Sequence, residues 1–214
     1  SVTVGRTASS DSRLRGTRAG LLLALALITI VSQFFRSSLG VIAPELIRDL
    51  ALSPQTLGLA GGMFFFALGV AQIPVGMSFD RIGPRLTVTW VSVFALAGAF
   101  MMSVAATGPQ LIFGRFLVGL GCGASFMSCV VLLIRWYPSE RIGTMYGRIF
   151  AVSQIGNLFA ATPMAWMSEA FGWRAVFGAS AFVVVAVVGF FFWAVRDQPP
   201  DKAPAHSAAE PLLQ

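Results

Sequence analysis

Apolar residues run almost without interruption over about 19–43, 57–79, 86–106, 110–134, 144–168 and 174–196, and the charged residues gather mainly in the short gaps between these runs. Each run is long enough to cross a hydrocarbon layer of ~30 Å as a helix, which takes about 20 residues. Backbone groups inside a bilayer must be satisfied within their own segment, so the runs predict helices rather than open strands. The pattern therefore predicts an all-α, polytopic membrane protein with a six-transmembrane-helix bundle over 19–196. Residues 1–18 are polar, show no apolar period and carry Arg6, Arg13, Arg15 and Arg18 against Asp11, which predicts a flexible tail. Residues 197–214 are rich in Pro and Ala and predict a second, disordered tail or the start of a linker between bundles. The segment 44–54 carries both charge signs and two prolines and reads as a water-exposed turn, with shorter turns at 80–85, 107–109, 135–143 and 169–173.

Composition agrees with the pattern. The 214 residues are 56% hydrophobic and only 11% charged, with mean hydropathy +0.78, against roughly 45–50% apolar and about 25% charged in soluble domains. The length holds six crossings and cannot hold twelve. A basic start ahead of Leu21 to Leu27 resembles a signal peptide, but the apolar stretch continues to Ile42 and further runs follow it. Ser1 in first place reads as a chain whose true start is missing or replaced. The net charge of +6 does not point to nucleic acid, because the arginines lie scattered between runs and form no basic face. Their distribution reads as topology. With the amino terminus inside, the cytoplasmic side collects Arg6, Arg13, Arg15, Arg18, Arg81, Arg85, Arg135, Arg141, Arg148, Arg196 and Lys202, and the far side only Arg48 and Arg174. Both termini are thus expected in the cytoplasm of a cell whose inner membrane the bundle spans.

Several chemistries drop out. His206 is the only histidine and lies in the second tail, which removes zinc, di-iron and haem ligation and a Ser-His dyad. Cys122 and Cys129, seven residues apart on one helix, sit about 10.5 Å apart along its axis and cannot bridge each other. No phosphate-binding loop of the G-x-x-x-x-G-K-[ST] type is present. No cofactor, metal or enzymatic activity is expected.

Two arginines, Arg36 and Arg115, fall further inside the runs than Arg148, Arg174 and Arg196, which stand at run ends. Arg36 lies about two-thirds along the first, where an arginine costs at least 2.5–3.5 kcal/mol on insertion scales, and it is expected to face a cavity rather than lipid. Gln33, Arg36 and Gly40 follow a helical spacing that places a polar stripe on one side. A guanidinium there suits bidentate capture of a carboxylate, phosphate or nitrate, with snorkelling or an interhelical hydrogen bond as the structural alternatives. Arg115 shares its helical face with Gly119 and Gly123, a groove of small residues suited to packing. Gln72 in the second run and Gln154 with Asn157 in the fifth add polar faces that serve either a substrate or helix association.

The connection Gly76-Met77-Ser78-Phe79-Asp80-Arg81-Ile82-Gly83-Pro84-Arg85 resembles the cytoplasmic signature of the major facilitator superfamily, through Gly76, Asp80, Arg81, Gly83 and Arg85. Leu86 stands where a further basic residue is common. Gly114-Arg115-Phe116-Leu117-Val118-Gly119-Leu120-Gly121 is similar to the family's fourth-helix motif, and Gly172-Trp173-Arg174 to its entry to the sixth helix. The Gly-Pro-rich antiporter motif of the fifth helix has no counterpart around Gln154 to Pro163, which points away from drug/proton antiport. The resemblance covers roughly 19–196, one half of the usual twelve-helix fold. It implies a secondary transporter working by alternating access, with 76–85 as a conformational latch and Arg115 in proton coupling or substrate contact. In the turn itself, Gly76 and Gly83 would allow close approach, and Asp80 would accept hydrogen bonds from Arg81, Arg85 or a helix N-terminus. The expected substrate is a small organic or inorganic anion held by Arg36, with Gln33, Arg115, Gln154 and Asn157 as further contacts. The expected partners are the lipid bilayer and a second six-helix bundle. The alternative is a scaffold or subunit without transport, or a truncated relic, its polar faces filled by protein.

Overall fold

The structure, a computed structural model, describes residues 3–197, with side chains from Arg18 onward. Among these residues every element is an α-helix: α1 (Thr3–Val41), α2 (Ala43–Leu50), α3 (Pro54–Arg81), α4 (Pro84–Ser103), α5 (Gly108–Trp136), α6 (Ser139–Phe171) and α7 (Trp173–Ala194). Five segments combine the length and apolarity of a crossing: Arg18–Val41 of α1, and α3, α4, α5 and α7. The remaining long helix, α6, has 33 residues, about 50 Å at 1.5 Å per residue. It is long enough to cross, but Glu140, Arg141, Arg148, Gln154, Asn157 and Glu169 dilute its apolar character. It packs along α1 and against α5 and α7 as the sixth helix of the bundle. The chain is a multi-pass membrane protein.

Successive long helices alternate in direction, so the bundle has two ends. One gathers Arg18, the 80–85 turn, Trp136 and residues 195–197. The other gathers α2, Ala105 and Trp173. Each end has an apolar core. Phe35, Phe64, Met102, Leu111, Trp173 and Phe177 fill the α2 end, and Leu21, Leu25, Phe79, Leu132, Trp136 and Phe191 fill the opposite end.

Glycines set how closely the helices approach. A Cβ on Gly98 of α4 would lie 2.6 Å from the backbone nitrogen of Val118 on α5, and one on Gly121 of α5 would strike the backbone of Ala95. A Cβ on Gly119 would strike the Phe64 carbonyl of α3, and one on Gly156 of α6 the Ile30 carbonyl of α1. Backbone-to-backbone packing of this kind maximises dispersion contact where lipid removes the usual hydrophobic drive to associate.

Three sequence expectations change. The 44–54 connection is not a plain turn: α2 occupies most of it, started by Pro44 in its first turn. Leu46 is buried in the α2-end core, and the short helix is docked by polar bonds. Trp173 Nε1 donates to Asp49 Oδ2 at 3.0 Å and Ser168 Oγ donates to Glu45. A second change is the extent of α1, which runs as helix from Thr3 through the residues whose composition reads as a tail. Elongating an existing helix avoids the cost of nucleating one, so a span can carry weakly helical residues with it. A third is α6, which begins at Ser139 and closes the expected 135–143 turn to Tyr137 and Pro138. Burial pushes the Tyr137 phenol above its ordinary range, with Arg18, 5.9 Å from the ring centroid, pulling it back.

Candidate functional site

The carboxy-terminal half of α1 places Gln33, Arg36 and Ser37 within little more than one turn. The Arg36 guanidinium carbon lies 5.5 Å from the ring centroid of Phe65 on α3 and 5.8 Å from that of Phe126 on α5. Arg36 is half-buried, and its Nε is buried with no hydrogen-bond partner. Phe65 beside it is 50% exposed, so α1, α3 and α5 open here onto a surface of the bundle. Two more buried polar atoms nearby in sequence lack partners: Ser32 Oγ and Gln33 Oε1. Leaving such an atom unpaired costs about 1–3 kcal/mol.

From α6, Asn157 meets the same stretch of α1, with Gln154 bonded behind it. Ser37 Oγ donates to Asn157 Oδ1, and Asn157 Nδ2 donates to Gln154 Oε1 at 2.6 Å. Arg115 points elsewhere. It is 1% exposed, donates from a terminal nitrogen to the Phe35 carbonyl at 2.7 Å, and stacks 4.6 Å over the Phe64 ring. It ties α5 to α1 and α3 within the core, with its Nε left unpaired. The face it shares with Gly119 and Gly123 is a packing seam against α3, where Gln72 also donates to the Gly123 carbonyl at 3.2 Å. Of the five candidate contacts, the structure joins Asn157 to Ser37, the residue after Arg36 on α1, and links Gln154 only to Asn157 and its own helix; it buries Gln33 one turn from Arg36 and turns Arg115 into the core.

The 76–85 turn is also rearranged relative to expectation. A Cβ on Gly76 would meet nothing within 4 Å, so that glycine serves no close approach within this bundle. Asp80 and Arg81 are exposed, and among the described residues neither side chain enters a hydrogen bond or ion pair. Gly83 and Arg85 instead engage the end of α7. Gly83 has φ +83°, a conformation that favours glycine. The Arg85 backbone N–H donates to Asp197 Oδ1 at 2.8 Å. Its Nε donates to the Phe192 carbonyl at 2.7 Å, and the guanidinium lies 4.0 Å from the Phe192 ring centroid. The hydrogen bond expected of Asp80 at a helix start is thus made by Asp197, because Asp80 lies on α3 and faces outward where the chain turns.

Sequence reasoning passed over Ser32, Ser37, Phe126 and Asp197. Ser37 carried a readable signal, a hydroxyl adjacent to an intramembrane arginine. Asp197 carried a fainter one, since Gly83-Pro84 starts α4 with no side chain able to cap it.

The chain matches the family described as Major Facilitator Superfamily over residues 25–214. The chain belongs to the major facilitator superfamily. As a facilitator-superfamily chain it is 29% identical over 212 residues to the Escherichia coli (strain K12) protein named "Probable galactarate/D-glucarate transporter GarP", with 94% of this chain and 46% of that protein aligned. It is 28% identical over 216 residues to a gallate transporter of Pseudomonas putida, covering 95% of this chain and 46% of that one. The chain therefore spans about half the length of these curated relatives. Among solved structures, an inward-facing, unoccupied bacterial homologue of the human lysosomal transporter Spinster superposes with TM-score 0.75 at 20% identity, over 90% of this chain and 46% of that one. That likeness establishes the facilitator fold for the bundle.

Proposed function

We propose that this chain is the amino-terminal six-helix half of a secondary transporter that moves a small organic anion by alternating access, with Arg36 as the principal anion contact. The observation that carries the reading is the state of Arg36. Its charge opens onto a surface of the bundle between two aromatic rings, its Nε is buried and unpaired, and among the residues with described side chains the carboxylates of the long helices, Asp80, Glu140 and Glu169, all lie in a first or last turn. An incoming carboxylate supplies the missing acceptor in a bidentate geometry. Ser37, next to Arg36 in the chain, and the Asn157–Gln154 pair bonded to it supply donors and acceptors for further oxygens on the substrate. Relatives named for galactarate, D-glucarate and gallate transport carry organic acids, which favours a carboxylate over an inorganic anion and disfavours a scaffold without transport.

In this reading a second six-helix bundle covers the Arg36 face, and the site lies between the bundles near the midplane. Both termini lie in the cytoplasm, because the end bearing Arg18, Arg81, Arg85, Arg135 and Arg141 is the more basic one.

The test is ligand-induced thermal stabilisation of the protein expressed with its complete reading frame, with galactarate and gallate as probes. The unmodified protein gains a shift with at least one of them, Arg36→Lys loses most of that shift, and Arg36→Gln loses nearly all of it. Equal shifts in all three proteins would remove Arg36 from the site. Stabilisation by neutral or cationic compounds alone would overturn the anion assignment.

A further inference from the structure

The start of α4 presents a specific deficit. Its N-cap is Gly83, which has no side chain, and Pro84 follows within the first turn. Pro84 has no N–H to satisfy, so Arg85 contributes the first free backbone donor of the helix. In most helices a Ser, Thr, Asp or Asn at the N-cap would accept from such a donor. Here the acceptor is Asp197, more than a hundred residues later in the chain. A Cβ on Gly83 would sit 2.7 Å from Asp197 Oδ2 and 2.9 Å from its carboxylate carbon. The glycine therefore does two things at once: it permits the left-handed φ of the turn and vacates the space that the carboxylate fills. A carboxylate at that point also meets the positive end of the helix dipole.

Neighbouring contacts fix the segment that delivers Asp197. Trp136 Nε1 on α5 donates to the Arg196 carbonyl at 3.0 Å, Val195 is buried, and Arg85 clasps Phe192 through its Nε bond and its stacked guanidinium. Asp80 and Arg81, at the end of α3 on the far side of the same turn, are left exposed.

We propose that Asp197 is a positioning residue of the transport cycle: it reaches from the end of α7 to cap α4 in place of the side chain Gly83 lacks, and thereby holds the 80–85 turn so that Asp80 and Arg81 face outward. The turn divides into two parts. Gly83 and Arg85 are anchored inside the bundle, and Asp80 and Arg81 are presented for contacts made and broken as the transporter changes state. The activity arm of this inference rests on the transport reading above; its structural arm does not.

The experiment compares the unmodified protein with Asp197→Ala and Asp197→Asn, each expressed with its complete reading frame and placed in lipid nanodiscs. Amide hydrogen exchange at Arg85 should accelerate on the order of ten-fold in Asp197→Ala. It should recover most of its protection in Asp197→Asn, whose side-chain oxygen still accepts. In proteoliposomes, the maximal rate of galactarate uptake should fall several-fold in Asp197→Ala with the half-saturation concentration unchanged, and Asp197→Asn should recover part of the loss. Identical Arg85 exchange in all three proteins overturns the cap, and uptake that falls only in proportion to the amount of inserted protein overturns the positioning role. Should the unmodified protein take up no galactarate, that substrate assignment fails by itself. The positioning role is then decided by the labelling rate of Arg81→Cys: a several-fold change on adding Asp197→Ala supports it, and an unchanged rate overturns it.

Discussion

Arg36 and Arg115 look equivalent in the sequence, each a cation within an apolar run, and the structure gives them opposite surroundings. Both keep an unpaired Nε, but Arg115 spends its charge inside the bundle on the Phe35 carbonyl and the Phe64 ring, whereas Arg36 lies half-buried on an opening face with only aromatic rings beside its guanidinium. Their truncations should therefore differ. Arg115→Ala removes a charge-assisted bond and a stacked contact, and should lower the unfolding free energy by about 2–3 kcal/mol whether or not an anion is present. Arg36→Gln should leave the stability of the unliganded protein within about 0.5 kcal/mol and abolish only the anion-dependent gain. Denaturant titration in detergent, with and without galactarate, separates the two. The sequence could show that both charges were costly to insert, but not which had a hydrogen-bond acceptor, because the acceptor for Arg115 is a backbone carbonyl that any residue at 35 would supply. Asp197 was hard to read for the same reason: its partner is the Arg85 amide, and the uncapped start of α4 shows that an acceptor is wanted but not which residue supplies it.

At the level of whole helices, the spans were readable from apolar run length, and the 119/123 glycine seam from its spacing. The seams at Gly98, Gly121 and Gly156 were not, because a lone glycine in an apolar run does not name the helix that passes it. Substitution should expose the difference. Gly121→Ala forces a methyl group into the Ala95 backbone and should remove most folded protein, while Gly62→Ala, with nothing within 4 Å of the new methyl group, should leave the yield unchanged. Size-exclusion profiles of fluorescent fusions read both. The helix α2 escaped notice because its two prolines and mixed charges signal a turn, although Leu46 and Leu50 already stood four apart on one face. Its docking should be measurable. Trp173→Phe keeps an aromatic ring against Phe177 but loses the bond to Asp49 and part of the buried indole packing, which together should cost about 2–3 kcal/mol in the same titration.

For the molecule as a whole, the alternation of charge between connections predicts which end meets the cytoplasm, and the alternating helix directions put Ser53 and Ser139 at opposite ends of the bundle. In a background with Cys122 and Cys129 replaced by serine, a cysteine at Ser53 should react with a membrane-impermeant reagent on intact cells. One at Ser139 should react only after permeabilisation, and the reverse result would invert the topology. The architecture was legible because length, hydropathy and motif spacing all constrain it; the face proposed for substrate was legible only as a charge, since its shape depends on which aromatic side chains from other helices close around it. That isolated charge has an electrical consequence. Moving one full charge through a membrane potential is worth ~2.3 kcal/mol per 100 mV. In an alternating-access carrier, the fraction of the field lying between Arg36 and either solution changes as the cavity opens to one side and then the other. The empty carrier should then redistribute when the voltage steps, producing a transient capacitive current, while a carrier loaded with a monoanion should be electrically silent. A current that survives both saturating anion and Arg36→Gln would place the voltage-sensing charge elsewhere.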